Sequence, residues 1–223
     1  MRKVIKILAK VLSAIVLLLI FLPISLTLVL NIEGVQNYVV DKATAYISRS
    51  LGTRVSIDRI DLDLFSRVRV EGFYVEDHER DTLLYVRRAR AGIGSLNIGK
   101  DGLVLNSAEA EGVKFFLREL SDGELNIRPV VDSLRKEGES RFVMHMDEAV
   151  ARDVEFRYER LQHRNPEYGI DYYDMQIKDI DARVENFLVE RGRVVMDVRE
   201  LSGVERSGFT IEDIVTGLEV NRG

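Results

Sequence analysis

The sequence predicts a mainly β protein of repeated antiparallel strands, preceded by a transmembrane helix and capped by an amphipathic helix. Three observations predict it. A strand motif recurs about forty residues apart, as Val70-Glu71-Gly72-Phe73-Tyr74-Val75, Ala110-Glu111-Gly112-Val113-Lys114-Phe115 and Ala151-Arg152-Asp153-Val154-Glu155-Phe156, with a looser copy at Leu201-Ser202-Gly203-Val204. Apolar residues alternate with period two through most of the chain after Arg54. An uncharged apolar run, Val11 to Ile32, stands near the start.

Within each full copy the alternation slips by one residue, from Val68 and Val70 to Phe73 and Val75, for example. An unrelieved slip would turn the second half of the strand to the wrong face. A β-bulge takes up such a residue, and Gly72, Gly112 and Asp153 stand at the three slips. The expected result is one apolar stripe of Val68, Val70, Phe73, Val75, Ala110, Val113, Phe115, Val154 and Phe156.

The chain of 223 residues is 46% hydrophobic and 31% charged, enough apolar content for a sizeable core. Its net charge of -5 and the lack of a basic patch beyond residue 10 argue against a nucleic-acid partner. With no cysteine, disulfides, thiolate metal ligands and a cysteine nucleophile are excluded.

The run from Val11 to Ile32 is long enough to cross a hydrocarbon core, with Val11, Leu17, Leu18, Phe21, Leu26, Leu28 and Leu30 among its anchoring residues. Arg2, Lys3, Lys6 and Lys10 precede it, so the N-terminus stays in the cytoplasm and the remainder lies across the membrane. A cleaved signal peptide is the competing reading. The long apolar run with no small-residue cleavage site after it favours a retained anchor.

Next, Glu33 to Leu51 reads as an amphipathic helix with Val35, Tyr38, Val39, Ala43, Tyr46, Ile47 and Leu51 on one face and Gly52 as its stop. Asp41, Lys42, Ser48 and Arg49 fall mostly on the other face. Strands follow, broken by a charged turn at Glu76 to Asp81 and turns at Gly99 to Gly102, Asp122-Gly123 and Glu190 to Arg193. Pro129 opens a short helix, and Arg160 to Glu167 is a polar loop. The division is 1–10 cytoplasmic tail, 11–32 signal anchor, 33–52 amphipathic helix and 53–223 β domain. The last alternating residues, Leu218 and Val220, leave a strand edge to be completed, so the chain reads as a fragment.

Catalytic chemistry finds no foothold. His78, His145 and His163 are far apart and lack metal-ligand spacing. The pairs Asp61 with Asp63 and Asp179 with Asp181 each put two carboxylates on one strand face, which a solvated face explains as well as a cation would. No nucleophile-elbow, P-loop or dinucleotide motif is present, so an anchored hydrolase is the weakest of the functional readings and no cofactor or metal is expected.

Several stretches resemble the AsmA-like family, in particular the N-terminal part of TamB-type translocation and assembly module proteins of diderm bacteria. They are the basic start and anchor from Arg2 to Leu30, Val35-Gln36-Asn37-Tyr38, Leu51-Gly52-Thr53-Arg54-Val55-Ser56-Ile57 and Val70-Glu71-Gly72-Phe73-Tyr74-Val75-Glu76-Asp77. Gly123-Glu124-Leu125-Asn126-Ile127, Leu201-Ser202-Gly203 and Ser207-Gly208-Phe209 complete the set. The resemblance implies a longer protein with a further C-terminal domain, single-pass in the bacterial inner membrane. Its periplasmic part would be an open, twisted β-groove that serves outer-membrane biogenesis and lipid transport between membranes. The stripe would then line a groove for phospholipid acyl chains. The alternative is a periplasmic scaffold that pairs a strand edge with an outer-membrane assembly protein.

Overall fold

The computed structural model describes residues 33–220 apart from 64–66, 98–101, 131, 133–142, 161–167 and 191–192. The basic tail and the anchor residues Val11, Leu17, Leu18, Phe21, Leu26, Leu28 and Leu30 lie outside the described residues. No helix among the described residues is long and apolar enough to cross a membrane.

Helix α1 spans Glu33–Leu51, and Gly52 follows with φ of 65°, its N–H donating to the Arg49 carbonyl at 3.3 Å. Its half-buried positions are Val35, Gln36, Val39, Val40, Ala43, Thr44, Ile47, Ser48, Ser50 and Leu51. Tyr38 and Tyr46, expected on the inward face, are 62% and 65% exposed. A stripe that steps by four residues drifts about 40° per turn around a helix of 3.6 residues per turn, so it winds away from Tyr38 and Tyr46. Ser48 points inward instead, its Oγ accepting from the Val55 N–H at 3.0 Å.

Among the described residues ten strands form one sheet: β1 Val55–Ser56, β2 Arg59–Asp63, β3 Arg67–Glu76, β4 Thr82–Asn97, β5 Gly102–Arg118, β6 Val143–Glu159, β7 Asp174–Glu190, β8 Arg193–Glu205, β9 Thr210–Ile211 and β10 Thr216–Val220. The order is β1-β3-β4-β5-β6-β7-β8-β10, with β2 also on β3 and β9 also on β8. The sheet is open, with β1 and β2 at one edge and β9 and β10 at the other. Long hairpins of alternating residues dictate most neighbours.

One pair departs from the antiparallel expectation: β5 and β6 run parallel, with Ala110 beside Ala151, Val113 beside Val154 and Phe115 beside Phe156. Alternation carries no information on direction. The signal was the long connection, residues 119–142, which is the length a crossover between parallel neighbours requires. Residues 128–130 are helical, where Pro129 was expected to open a short helix.

The slips line up across the sheet. Gly72 and Gly112 have φ of 63° and 66°, and both stand level with Arg87 on the strand between them. Pairing continues unshifted on either side, so these glycines are not the two-against-one bulges that were expected. Each strand takes its extra residue at one level, and partners stay matched. Between β6 and β7 the extra residues are offset, Asp153 (φ 54°) against Asp179 (φ 51°), and there the register does shift. Asp tolerates the left-handed region better than most residues, which lets the seam cross strands that lack glycine. Asp153 is held by its N–H donating to Asp181 Oδ1 at 3.1 Å. The fourth copy differs: Gly203 has no left-handed φ, and a Cβ there would come within 3.0 Å of Ile180 Cγ1.

Among the described residues, a second layer covers one end of the apolar face. Val55, Val75, Leu83 and Val130 form a buried cluster, with Ile47 and Leu51 of α1, Phe73, Leu84, Phe115, Leu117 and Ile127 packed on it. Among the described residues no large side chain is less than 2% exposed. A sheet normally hides its apolar face under a full second layer. Among the described residues, most of that face is half-buried and has no such layer over it.

Candidate functional site

Cross-strand pairing assembles the stripe into rows that run perpendicular to the strands. Above the seam are Val75, Leu84, Phe115, Phe156 and Ile177, and next to them Phe73, Val86, Val113, Val154 and Ile180. Below it are Val70, Ala89, Ala110, Ala151, Ala182 and Leu201, then Val68, Ala91, Ala108, Ala149, Val184 and Val198. The upper rows are large and the lower rows mostly alanine, which leaves a step in height at the seam.

That step divides the expected stripe. Val75 is 2% exposed inside the cluster under α1, and Phe73 and Phe115 pack against the same cluster, so these three belong to a covered core rather than to an open lining. Phe115 and Phe156 touch at 6.0 Å between ring centroids. Val68, Val70 and Ala110 line a depression of about 290 Å³ together with Ala89, Ala91, Ala108, Ala149, Ala151, Ala182 and Val184. Its volume sits near the lower end of ligand sites, roughly 300–1,000 Å³. Val113, Val154 and Phe156 lie half-buried between the two regions.

The opposite face is a lattice of exposed ion pairs, including Arg88 to Glu111 at 2.8 Å, Arg87 to Glu111 at 2.9 Å and to Asp153 at 3.1 Å, Arg183 to Glu148 at 2.6 Å and Arg199 to Glu185 at 2.8 Å. Such solvent-screened pairs add little to stability and mainly keep this face wet. A cavity of about 510 Å³ on that side is lined largely by Arg88, Arg90, Arg152, Glu109, Glu111 and three aspartates. Asp179 and Asp181 stand among its lining, and Asp61 accepts from Gln36 at 3.0 Å and pairs with Arg59. Among the described residues no group of three His, Cys, Asp or Glu side chains is placed to hold a metal ion. His145 is partly exposed, 3.6 Å from Asp147, and His163 lies outside the described residues.

Sequence reading missed a set of buried acids along the covered end of the sheet. Asp77 closes the β3–β4 turn, its Oδ1 accepting from the Glu79 and Asp81 N–H groups at 2.9 and 2.8 Å. Its Oδ2 accepts from Arg118 at 3.0 Å and from Asn126, itself 2% exposed, at 3.1 Å. Burial pulls the Arg118 guanidinium down, but Asp81, Asp77 and Glu79 outweigh it and hold it above the ordinary arginine value. Asp171 and Glu205 repeat the device at the turns beside β7 and β8, each accepting the N–H two residues on. The signal was an acid two residues ahead of a turn amide, a local pattern that alternation does not detect.

Glu205 is 3% exposed. Burial pushes its carboxyl up, yet hydrogen bonds from the Ser207 hydroxyl and the backbone N–H groups of Ser207, Gln176 and Arg206 overcome that and leave it below the ordinary glutamate value of 4.5. A depressed folded value contributes stability above the unfolded value, and that contribution fades as pH falls through the folded one. Glu205→Gln is therefore expected to unfold at lower urea than the parent at neutral pH. The gap should narrow as pH drops below 4.5, and a gap constant down to pH 3 would contradict this role.

No family model matches the chain, and no curated protein matches it either.

Proposed function

We propose that this chain is the N-terminal segment of an inner-membrane-anchored periplasmic β-groove protein that holds phospholipid acyl chains and takes part in phospholipid transport between membranes during outer-membrane biogenesis. The observation that carries the reading is the alanine-floored belt, an apolar sheet surface that the described second layer does not reach. From Val70 on β3 to Leu201 on β8 the row crosses five inter-strand steps, about 24 Å at about 4.8 Å each. One acyl chain spans about half of the roughly 30 Å hydrocarbon core, so a whole tail fits across the strands. Burial contributes about 0.8 kcal/mol per methylene and needs no polar recognition. The family resemblance and the uncharged run at Val11 to Ile32 support the membrane setting.

The test is phospholipid that stays with the full chain after detergent purification and exchange into a lipid-free amphipathic polymer, measured by mass spectrometry. Retained phospholipid that is lost when the belt is filled supports the reading, and a lipid-free chain with an intact fold refutes it.

A second reading rests on a different observation. Among the described residues strand β10 pairs with β8 alone, and Val215 and Leu218 at this edge are 63% and 44% exposed. Such an edge suits a scaffold that adds a strand from an outer-membrane assembly protein.

A further inference from the structure

Helix α1 turns a second face outward that neither the belt nor the β10 edge uses. Its exposed positions are Gly34, Asn37, Tyr38, Asp41, Lys42, Ala45, Tyr46 and Arg49, the complement of the inward stripe. Two of them are large aromatics at 62% and 65% exposure, an unusual presentation for rings that gain from burial. Lys42 Nζ sits 5.4 Å from the Tyr38 ring centroid, and Arg49 Nε donates to the Ala45 carbonyl at 3.1 Å. Among the described side chains of this face, Lys42 and Arg49 stand against Asp41, in a chain whose net charge is -5.

Tyrosine with interleaved Lys and Arg is the chemistry of a lipid headgroup layer, where the ring body meets acyl carbons while the hydroxyl and cations meet phosphate. Position agrees with composition. The uncharged run ends at Ile32, and α1 begins at Glu33. At 1.5 Å per residue, a helix standing upright would carry Tyr46 about 20 Å beyond the hydrocarbon edge, past a headgroup layer only about 5–8 Å deep. Lying flat, it would keep Tyr38 and Tyr46 both at headgroup depth.

We infer that the outward face of α1, with Tyr38, Lys42, Tyr46 and Arg49, lies flat on an anionic phospholipid surface at the foot of the anchor. The inference rests on the anchor in the proposed function. Because the opposite face of α1 packs on β1 and β2, the first edge of the sheet is then nearest the membrane and later strands stack away from it. Val68 and Val70 on β3 place the start of the belt at that proximal edge.

The chain has no cysteine, so single-site labelling is clean. Spin labels at Tyr38→Cys, Tyr46→Cys, Leu18→Cys and Asp213→Cys are compared in the full chain reconstituted into vesicles of phosphatidylethanolamine and phosphatidylglycerol. Collision with oxygen relative to a water-soluble nickel chelate is expected to be several-fold higher at positions 38 and 46 than at 213, and highest at 18. A water-like value at 38 or 46 with a lipid-like value at 18 overturns the inference and leaves the anchor standing. Water-like values at all four positions overturn the inference and the anchor together.

Discussion

Gly72→Val is expected to destabilise the chain by on the order of 4 kcal/mol, measured as a shift in urea unfolding, whereas Arg69→Val three residues away stays within about 0.5 kcal/mol. The backbone at Gly72 has φ of 63°, a region that costs a branched residue roughly 1–3 kcal/mol. A Cβ there would also lie 1.8 Å from Asp58 Oδ2 and 2.8 Å from Asp58 Cβ. Asp58 follows Ile57 in the link between β1 and β2 and is tied to β3 by its N–H donating to the Glu71 carbonyl at 3.0 Å. Moving it aside pulls the edge strands off β3 and uncovers Val55, which is 3% exposed in the cluster beneath α1. Arg69 is exposed and faces away from that cluster. Equal tolerance at the two positions would mean that the seam is not a constraint on the fold.

Filling the belt should have the opposite profile, large on function and small on stability. Ala110 and Ala151 are neighbours on the parallel pair β5 and β6, at the floor of the 290 Å³ depression. Tryptophan at both positions would occupy the space without entering the covered core, since Val55, Val75, Leu83 and Val130 lie beyond the seam. Retained phospholipid is expected to fall at least about tenfold, because losing contact with two or three methylenes at about 0.8 kcal/mol each removes roughly 2 kcal/mol of binding. The urea midpoint should move little. Undiminished lipid in the double variant would place the lipid elsewhere on the molecule.

How much of this was legible in the sequence depended on which physical signal each feature leaves. The strands, the bounds of α1 and the shared face of the motif copies follow from period, and period is local. Glycine with positive φ was also legible, since Gly72 and Gly112 stood where alternation slipped. Asp179 and Asn186 adopt the same backbone without glycine; the alternation slips there too, from Ile177 to Ile180 and from Val184 to Phe187, but neither slip lies in a copy of the repeated motif, so the repeat did not point to them. The parallel β5–β6 pair escaped because alternation is the same in either direction. The split of the stripe escaped for another reason. Sequence shows that Phe115 and Ala110 share a face, but only packing shows that one lies under the cluster at Val75 and the other lies open.

That distinction sets the most direct measurement. A photo-activated crosslinking residue placed at Ala151, on the floor of the belt, is irradiated in cells, and a second at Lys114, on the opposite exposed face, serves as the control. Phospholipid captured at position 151 and absent at 114 is the predicted result. Capture at 151 of side chains from the same β domain alone would show the belt to be a closed core, contradict the lipid-groove function and leave the strand-edge scaffold as the reading to pursue.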